Sequence, residues 1–184
     1  MTLVFSIAAA ILSETFISFN ELHRKVANAA ILGQDMRFIM EALVREARND
    51  EIDYAAYGGT VSPVSSILKL KKQNGIHIWI AMGAPGAAPG SPSCEETTVA
   101  HCLSISIDDG TTWFQVTSPL VEVESFNVYV RPSVSPFVPV SGSYPNDVQP
   151  FVTANLDLLY KAAQTKARVT LQAQTSVSSR VYRR

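Results

Sequence analysis

Three regimes of hydrophobic patterning divide the chain. Over residues 1–19 apolar side chains fall on every side and the only charge is Glu14. Nineteen helical residues at 1.5 Å each span about 28 Å, close to the hydrocarbon thickness of a bilayer. From Leu22 the pattern becomes amphipathic. Leu22, Val26, Ala29, Gly33, Met36, Met40, Leu43 and Ala47 recur at steps of three and four, with Leu32, Ile39 and Val44 widening the stripe. Glu21, Arg24, Lys25, Asp35, Arg37, Glu41, Arg45 and Arg48 fall mainly off it, and Glu41 precedes Arg45 by the favourable four positions. No proline interrupts residues 1–57, and Tyr57-Gly58-Gly59 supplies a stop. One helix of about fifty residues is predicted, far longer than the dozen or so of an average globular helix. Its rear has one apolar side to seat on a domain. Its front is apolar all round and needs burial elsewhere.

The remainder has the period of strands. Residues 67–71 and 76–82 flank Gln73-Asn74-Gly75, and Asn-Gly is the strongest short hairpin signal. Residues 103–107 and 112–116 flank Asp108-Asp109-Gly110, a second hairpin. Over 120–130, Val121, Val123, Ser125, Asn127 and Tyr129 alternate with Glu122, Glu124, Phe126, Val128 and Val130. Residues 151–160 and 168–177 alternate as well. Five to seven strands after one long helix predict an α+β fold with an antiparallel sheet. Residues 1–24 form a hydrophobic transmembrane or filament-core segment, and 25–57 an amphipathic half packed on the sheet. Residues 58–184 form the sheet domain, with long Pro/Gly/Ser-rich loops at 83–101 and 132–150.

Charge refines this picture. The 184 residues carry a net charge of −1, which points neither to nucleic acid nor to an anionic surface. Residues 160–184 nevertheless hold Lys161, Lys166, Arg168, Arg180, Arg183 and Arg184 with no acid. Residues 51–159 hold ten acids against four bases. Two readings stand: a solvated strand end, or a basic tail that meets the acidic face of another copy.

A secretory signal would place bases before the apolar run and a cleavage site after it. Here the run begins at once, Asn20-Glu21-Leu22-His23-Arg24-Lys25 follows, and the helical pattern continues, so the segment is read as retained. Catalytic chemistry has no visible footing. His23, His77 and His101 are scattered, and no G-x-S-x-G, P-loop or H-E-x-x-H is present, so no enzyme activity and no cofactor are expected. Asp108-Asp109 with Glu122 and Glu124 offers calcium ligands, but the turn alone accounts for Asp-Asp-Gly. Trp79, Trp113, Phe126 and Tyr129 read as core or sheet-face residues, with stacking on nucleic acid beside the basic tail as the rival.

Met1-Thr2-Leu3-Val4 at the head of a long apolar helix resembles the mature start of type IV pilins and pseudopilins. The stretch from Val169-Thr170-Leu171-Gln172 to Thr175-Ser176-Val177-Ser178-Ser179-Arg180 resembles the final strand of many minor members. The resemblance implies a leader removed before residue 1, with Met1 as the N-methylated terminus. It implies a single-pass anchor in the cytoplasmic membrane, handling by an inner-membrane assembly machinery, and then an extracellular helical filament of identical subunits. Leu3, Val4, Phe5, Ile7, Ala9, Ile11 and Leu12 would pack its core, with Ser6, Ala8, Ala9, Ala10 and Ser13 as the close-packing surface. The family usually carries a glutamate at the fifth position, and this chain has Phe5. The Met1 amine then needs a hydroxyl or backbone carbonyl as acceptor, or Glu14 of an axially shifted neighbour, or must shed its proton; the rival for Glu14 is to face headgroups before assembly and a polar neighbour afterwards. In an exported domain Cys94 and Cys102 would close a nine-residue loop as a disulfide. The rival is a metal site that recruits Glu95, Glu96 and His101. The functional expectation is a structural filament subunit. The alternative is a minor or tip subunit that binds a surface or DNA through the long loops and the Lys161, Lys166, Arg168, Arg180, Arg183 and Arg184 cations.

Overall fold

A long helix, α1 (Thr2–Asn49), leads the chain in the computed structural model, and nine strands follow it among the described residues. The structure describes residues 2–95, 98–139, 148–162 and 165–180, with the helical backbone alone for residues 2–6, 8 and 9. The strands are β1 (Glu51–Ile52), β2 (Ile67–Lys71), β3 (His77–Pro85), β4 (Ser93–Cys94), β5 (Cys102–Ser106), β6 (Phe114–Gln115), β7 (Val121–Arg131), β8 (Phe151–Tyr160) and β9 (Val169–Ser178). A short 3-10 helix, Thr165–Ala167, precedes β9. The α+β order therefore holds, but with two antiparallel sheets in place of one. The first runs β1-β2-β3-β5-β6, with β4 added in parallel to β3; the second runs β7-β8-β9. A bridge from Ser65 to Val128 stitches the approach to β2 onto β7.

Both sheets and the rear of α1 share one core. Leu32, Met36, Ile39, Leu43 and Ala47 of the helix are buried against Leu68, Leu70, Ile78, Ile80 and Leu103 of the first sheet. They also share that core with Val123, Phe126, Val128, Leu156 and Leu158 of the second sheet. Spacings of four, three, four and four keep the helical set on one side, the geometry of an amphipathic helix seated on a domain. The seat starts later than the stripe predicts. Leu22 and Val26 are exposed, and among the described residues the helix first hydrogen-bonds to the domain at Asn28, whose amide donates to the Ala167 carbonyl at 2.9 Å.

The helix also ends before the Tyr57-Gly58-Gly59 stop. Asn49 and Asp50 are weak helix formers, and the next two residues pair with β2 as Glu51↔Lys71 and Ile52↔Leu70. Asp53 then closes a turn by accepting from the Ala56 amide at 3.0 Å. Burying Ile52 and Tyr54 in the shared core outweighs the further helical hydrogen bonds given up.

Asp50, just past the helix end, is buried, and one of its carboxylate oxygens has no hydrogen-bond partner. Burial, with the nearby Glu46 charge adding to it, pushes its carboxyl above the usual range, while Lys72 opposes the shift. A carboxyl raised by folding loses stability as pH climbs through the unfolded value, near 3.9, and on past the folded one. Asp50→Asn is therefore expected to stabilise the domain by about 1 kcal/mol at pH 7. Thermal melts at pH 7 and pH 3.5 check this: the gain should vanish at the lower pH.

Two further elements depart from the sequence pattern. The strand over 120–130 carries a bulge between Val123 and Ser125 when paired with β8. One extra residue flips the alternation, so Val121 and Val123 share the buried face with Phe126, Val128 and Val130, and Glu124 is left exposed. Within 83–101, β3 continues to Pro85 and Ser93–Cys94 form β4 beside it. Gly83 permits that approach: a Cβ there would meet Ser104 Oγ at 2.8 Å and the Pro92 backbone at 3.0 Å. Gly110 does the same for Trp79, 2.6 Å from a hypothetical Cβ, and its φ of +80° closes the β5–β6 turn.

Candidate interaction surface

The front of α1 stands clear of the domain. Ile7, Ile11, Leu12, Phe16, Ile17, Phe19, Leu22 and Val26 are between 54% and 70% exposed, so the domain leaves all eight uncovered. Soluble monomers seldom present a contiguous apolar surface of this extent. Residues 7–26 run about 30 Å along the helix axis. Ile31 and Phe38 prolong the apolar surface down the outward side of the rear half. Local bonds decorate the front, with Thr15 Oγ1 donating to the Ile11 carbonyl at 2.8 Å and the Asn20 amide to the Phe16 carbonyl at 3.1 Å. Glu14 is exposed among these apolar neighbours. Met1 and the side chains of Leu3, Val4, Phe5 and Ala9 lie outside the described residues. Among the described residues no helix is long and apolar enough to cross a membrane.

Among the described residues the basic tail does not form one patch. Lys161 pairs with Glu122 at 3.4 Å, and Lys166 reaches Glu21 of α1 at 3.6 Å. The latter pair is open to solvent and is worth roughly 0–1 kcal/mol, a light tether of the helix front to the domain. Arg168 and Arg180 are exposed, and Arg183 and Arg184 lie outside the described residues. Arg180 has company the sequence did not reveal. With Arg45 and Arg48 it rims a groove of about 480 Å³ whose floor includes Met40 and Val44. Arg180 lies more than 130 positions from Arg45 and Arg48 in the chain, and the docking of β9 against α1 unites them.

Cys94 and Cys102 are joined, with Cα atoms 5.8 Å apart. The bond lies in a small second core with Val99 and ties β4 to β5. A loop of nine residues closed in the unfolded chain predicts that Cys94→Ser with Cys102→Ser costs about 2–3 kcal/mol. Chemical denaturation measures that loss, and an intact mass two hydrogens below the reduced chain verifies the bridge. Among the described residues no group of three or more His, Cys, Asp or Glu is placed to hold a metal. Asp108 instead accepts from Ser106 Oγ at 2.8 Å, from the Thr112 amide at 2.8 Å and from Thr112 Oγ1, so its own turn satisfies it. Those donors, the Thr112 hydroxyl foremost, hold its carboxyl below the usual range.

No family model, curated protein or solved structure matches the chain.

His77 sits between two carboxylates, with Nδ1 2.5 Å from buried Asp53 and 3.4 Å from Asp109. Three elements meet there: the end of β1, the start of β3 and the β5–β6 turn. Beside them Lys69 Nζ lies 4.2 Å from the Trp79 ring centroid and 5.4 Å from that of Tyr57. The Tyr57 hydroxyl donates to the Ile67 carbonyl at 2.7 Å and accepts from the Lys69 amide at 2.8 Å. Burial pushes the Tyr54 hydroxyl up to about 12 and raises that of Tyr57 further. These groups brace the first sheet, and a half-exposed sheet residue is what the alternation of β3 implies for His77.

Proposed function

We propose that this chain is the repeating structural subunit of a pilus-like extracellular filament and polymerises through its N-terminal helix. The carrying observation is the row of eight exposed apolar side chains on a helix whose rear is anchored in a domain. Burying that row from water contributes on the order of 10 kcal/mol per helix, enough to offset much of the entropic cost of association. If the helix starts in lipid, burial gains little, and close packing through Ser6, Ala8, Ala9, Ala10 and Ser13 supplies the drive. The sheet domain then stays outside the bundle, where its disulfide suits an oxidising compartment. Membrane anchorage before assembly, N-methylation of Met1 and delivery by an inner-membrane machinery belong to the same reading.

Electron microscopy of isolated filaments, with copies of this chain counted along each, tests the proposal. Many copies at a regular axial spacing are expected. One copy per filament would instead make it a tip subunit with a binding role.

A further inference from the structure

We infer that Glu14 of one copy docks into the arginine-rimmed groove at the far end of α1 in a second copy. The inference rests on the filament reading and names the contact that reading lacks. The groove is built, not incidental. The Arg180 amide donates to the Arg48 carbonyl at 2.8 Å, Ser179 Oγ donates to the Asp50 carbonyl at 2.9 Å, and the Ser179 amide to Pro150 at 3.0 Å. These bonds fix the end of β9 against the end of α1 and set Arg180 beside Arg48. Glu41 at the rim is paired with Arg37 at 2.7 Å, and Arg45 with Glu46 at 3.1 Å. Arg48 and Arg180 have no ion-pair partner among the described residues, so the groove presents two unneutralised guanidiniums above an apolar floor.

The front helix presents the complement. Glu14 is the sole charge in the first twenty residues, exposed and flanked by exposed Ile11, Leu12 and Ile17. Once that surface is covered by sister helices the carboxylate loses water, and an unpaired charge in such a setting is strongly unfavourable. A guanidinium fork is the planar, bidentate partner a carboxylate fits best. Its own helix cannot supply one, because Arg24, the nearest, lies about 15 Å and Arg48 about 51 Å farther along it. The pairing therefore joins parallel helices displaced by about 45–51 Å along the filament axis. Arg24 and Lys25 are nearer in sequence but are exposed on the helix front, before its buried row begins at Leu32.

A photo-cross-linking residue at Thr15, exposed beside Glu14, in the full-length chain, activated in assembled filaments and mapped by mass spectrometry, tests the contact. Adducts within residues 40–49 or at Arg180 are expected; adducts confined to residues 20–28 would overturn the inference. In parallel, Glu14→Arg should lower filament yield at least tenfold. Combining it with Arg48→Glu and Arg180→Glu should restore yield to within twofold, with unchanged melting of the unassembled chain. No loss, or no rescue with melting intact, would also overturn it. A wild-type chain that stays monomeric removes the filament reading itself and this inference with it, whereas filaments with adducts elsewhere remove the inference alone.

Discussion

Leu12→Glu is expected to abolish polymerisation while shifting the thermal midpoint by no more than about 2 °C, as for an ordinary surface substitution. Leu12 is 70% exposed and touches nothing in the domain, so the fold of a single chain does not depend on it. In a bundle of sister helices the same position is packed on several sides. A carboxylate there must be desolvated beside lipid-like side chains, which costs several kcal/mol without a partner. Each copy in a filament repeats that cost, so the loss of assembly should be close to complete. Sedimentation of the assembled fraction and circular dichroism of the unassembled chain read the two halves of the expectation. Normal filaments from this variant would show that the front of α1 is not the polymerising surface.

Leu43→Ala should do the opposite, with a loss of about 3 kcal/mol of domain stability and a fall of roughly 6–12 °C in the midpoint. Leu43 is 3% exposed and lies in the shared core, in a helical row with Ile39 and Ala47. Truncation removes three buried carbons and leaves a void that two sheets and a helix cannot easily collapse. Assembly of the fraction that remains folded should be unaffected, because the front of the helix is untouched. The two substitutions therefore separate the helix into a half that polymerises and a half that folds. A large stability loss from Leu12→Glu, or none from Leu43→Ala, would remove that division.

Local signals read well and long-range ones did not. Gln73-Asn74-Gly75 announces the β2–β3 hairpin because Gly75 adopts φ of +88°, where its amide reaches the Lys72 carbonyl at 2.9 Å. Asp108-Asp109-Gly110 announces β5–β6 for the same reason, with Asp109 and Gly110 both at positive φ. The one-sided rear of α1 follows from the 3.6-residue period. By contrast β1 and β4 are two residues each and owe their existence to partners elsewhere, β2 and β3 respectively. The bulge near Glu124 reverses the faces of β7, and nothing in the strict alternation of residues 120–130 marks it. The arginine-rimmed groove is the extreme case, since Arg45 and Arg48 meet Arg180 only through the docking of the last strand. Of the candidate surface, the apolar front of α1 is legible as an excess of uncharged residues; the site proposed to receive Glu14 is not.

The most direct test of the central claim is the cross-section of a filament assembled from this chain, reconstructed by cryo-electron microscopy. A bundle of helices is expected on the axis, with Ile11, Leu12, Phe16 and Phe19 buried against neighbouring copies and the two sheets on the outside. A filament whose axis is built from the sheets, with the front of α1 facing solvent, would contradict the account.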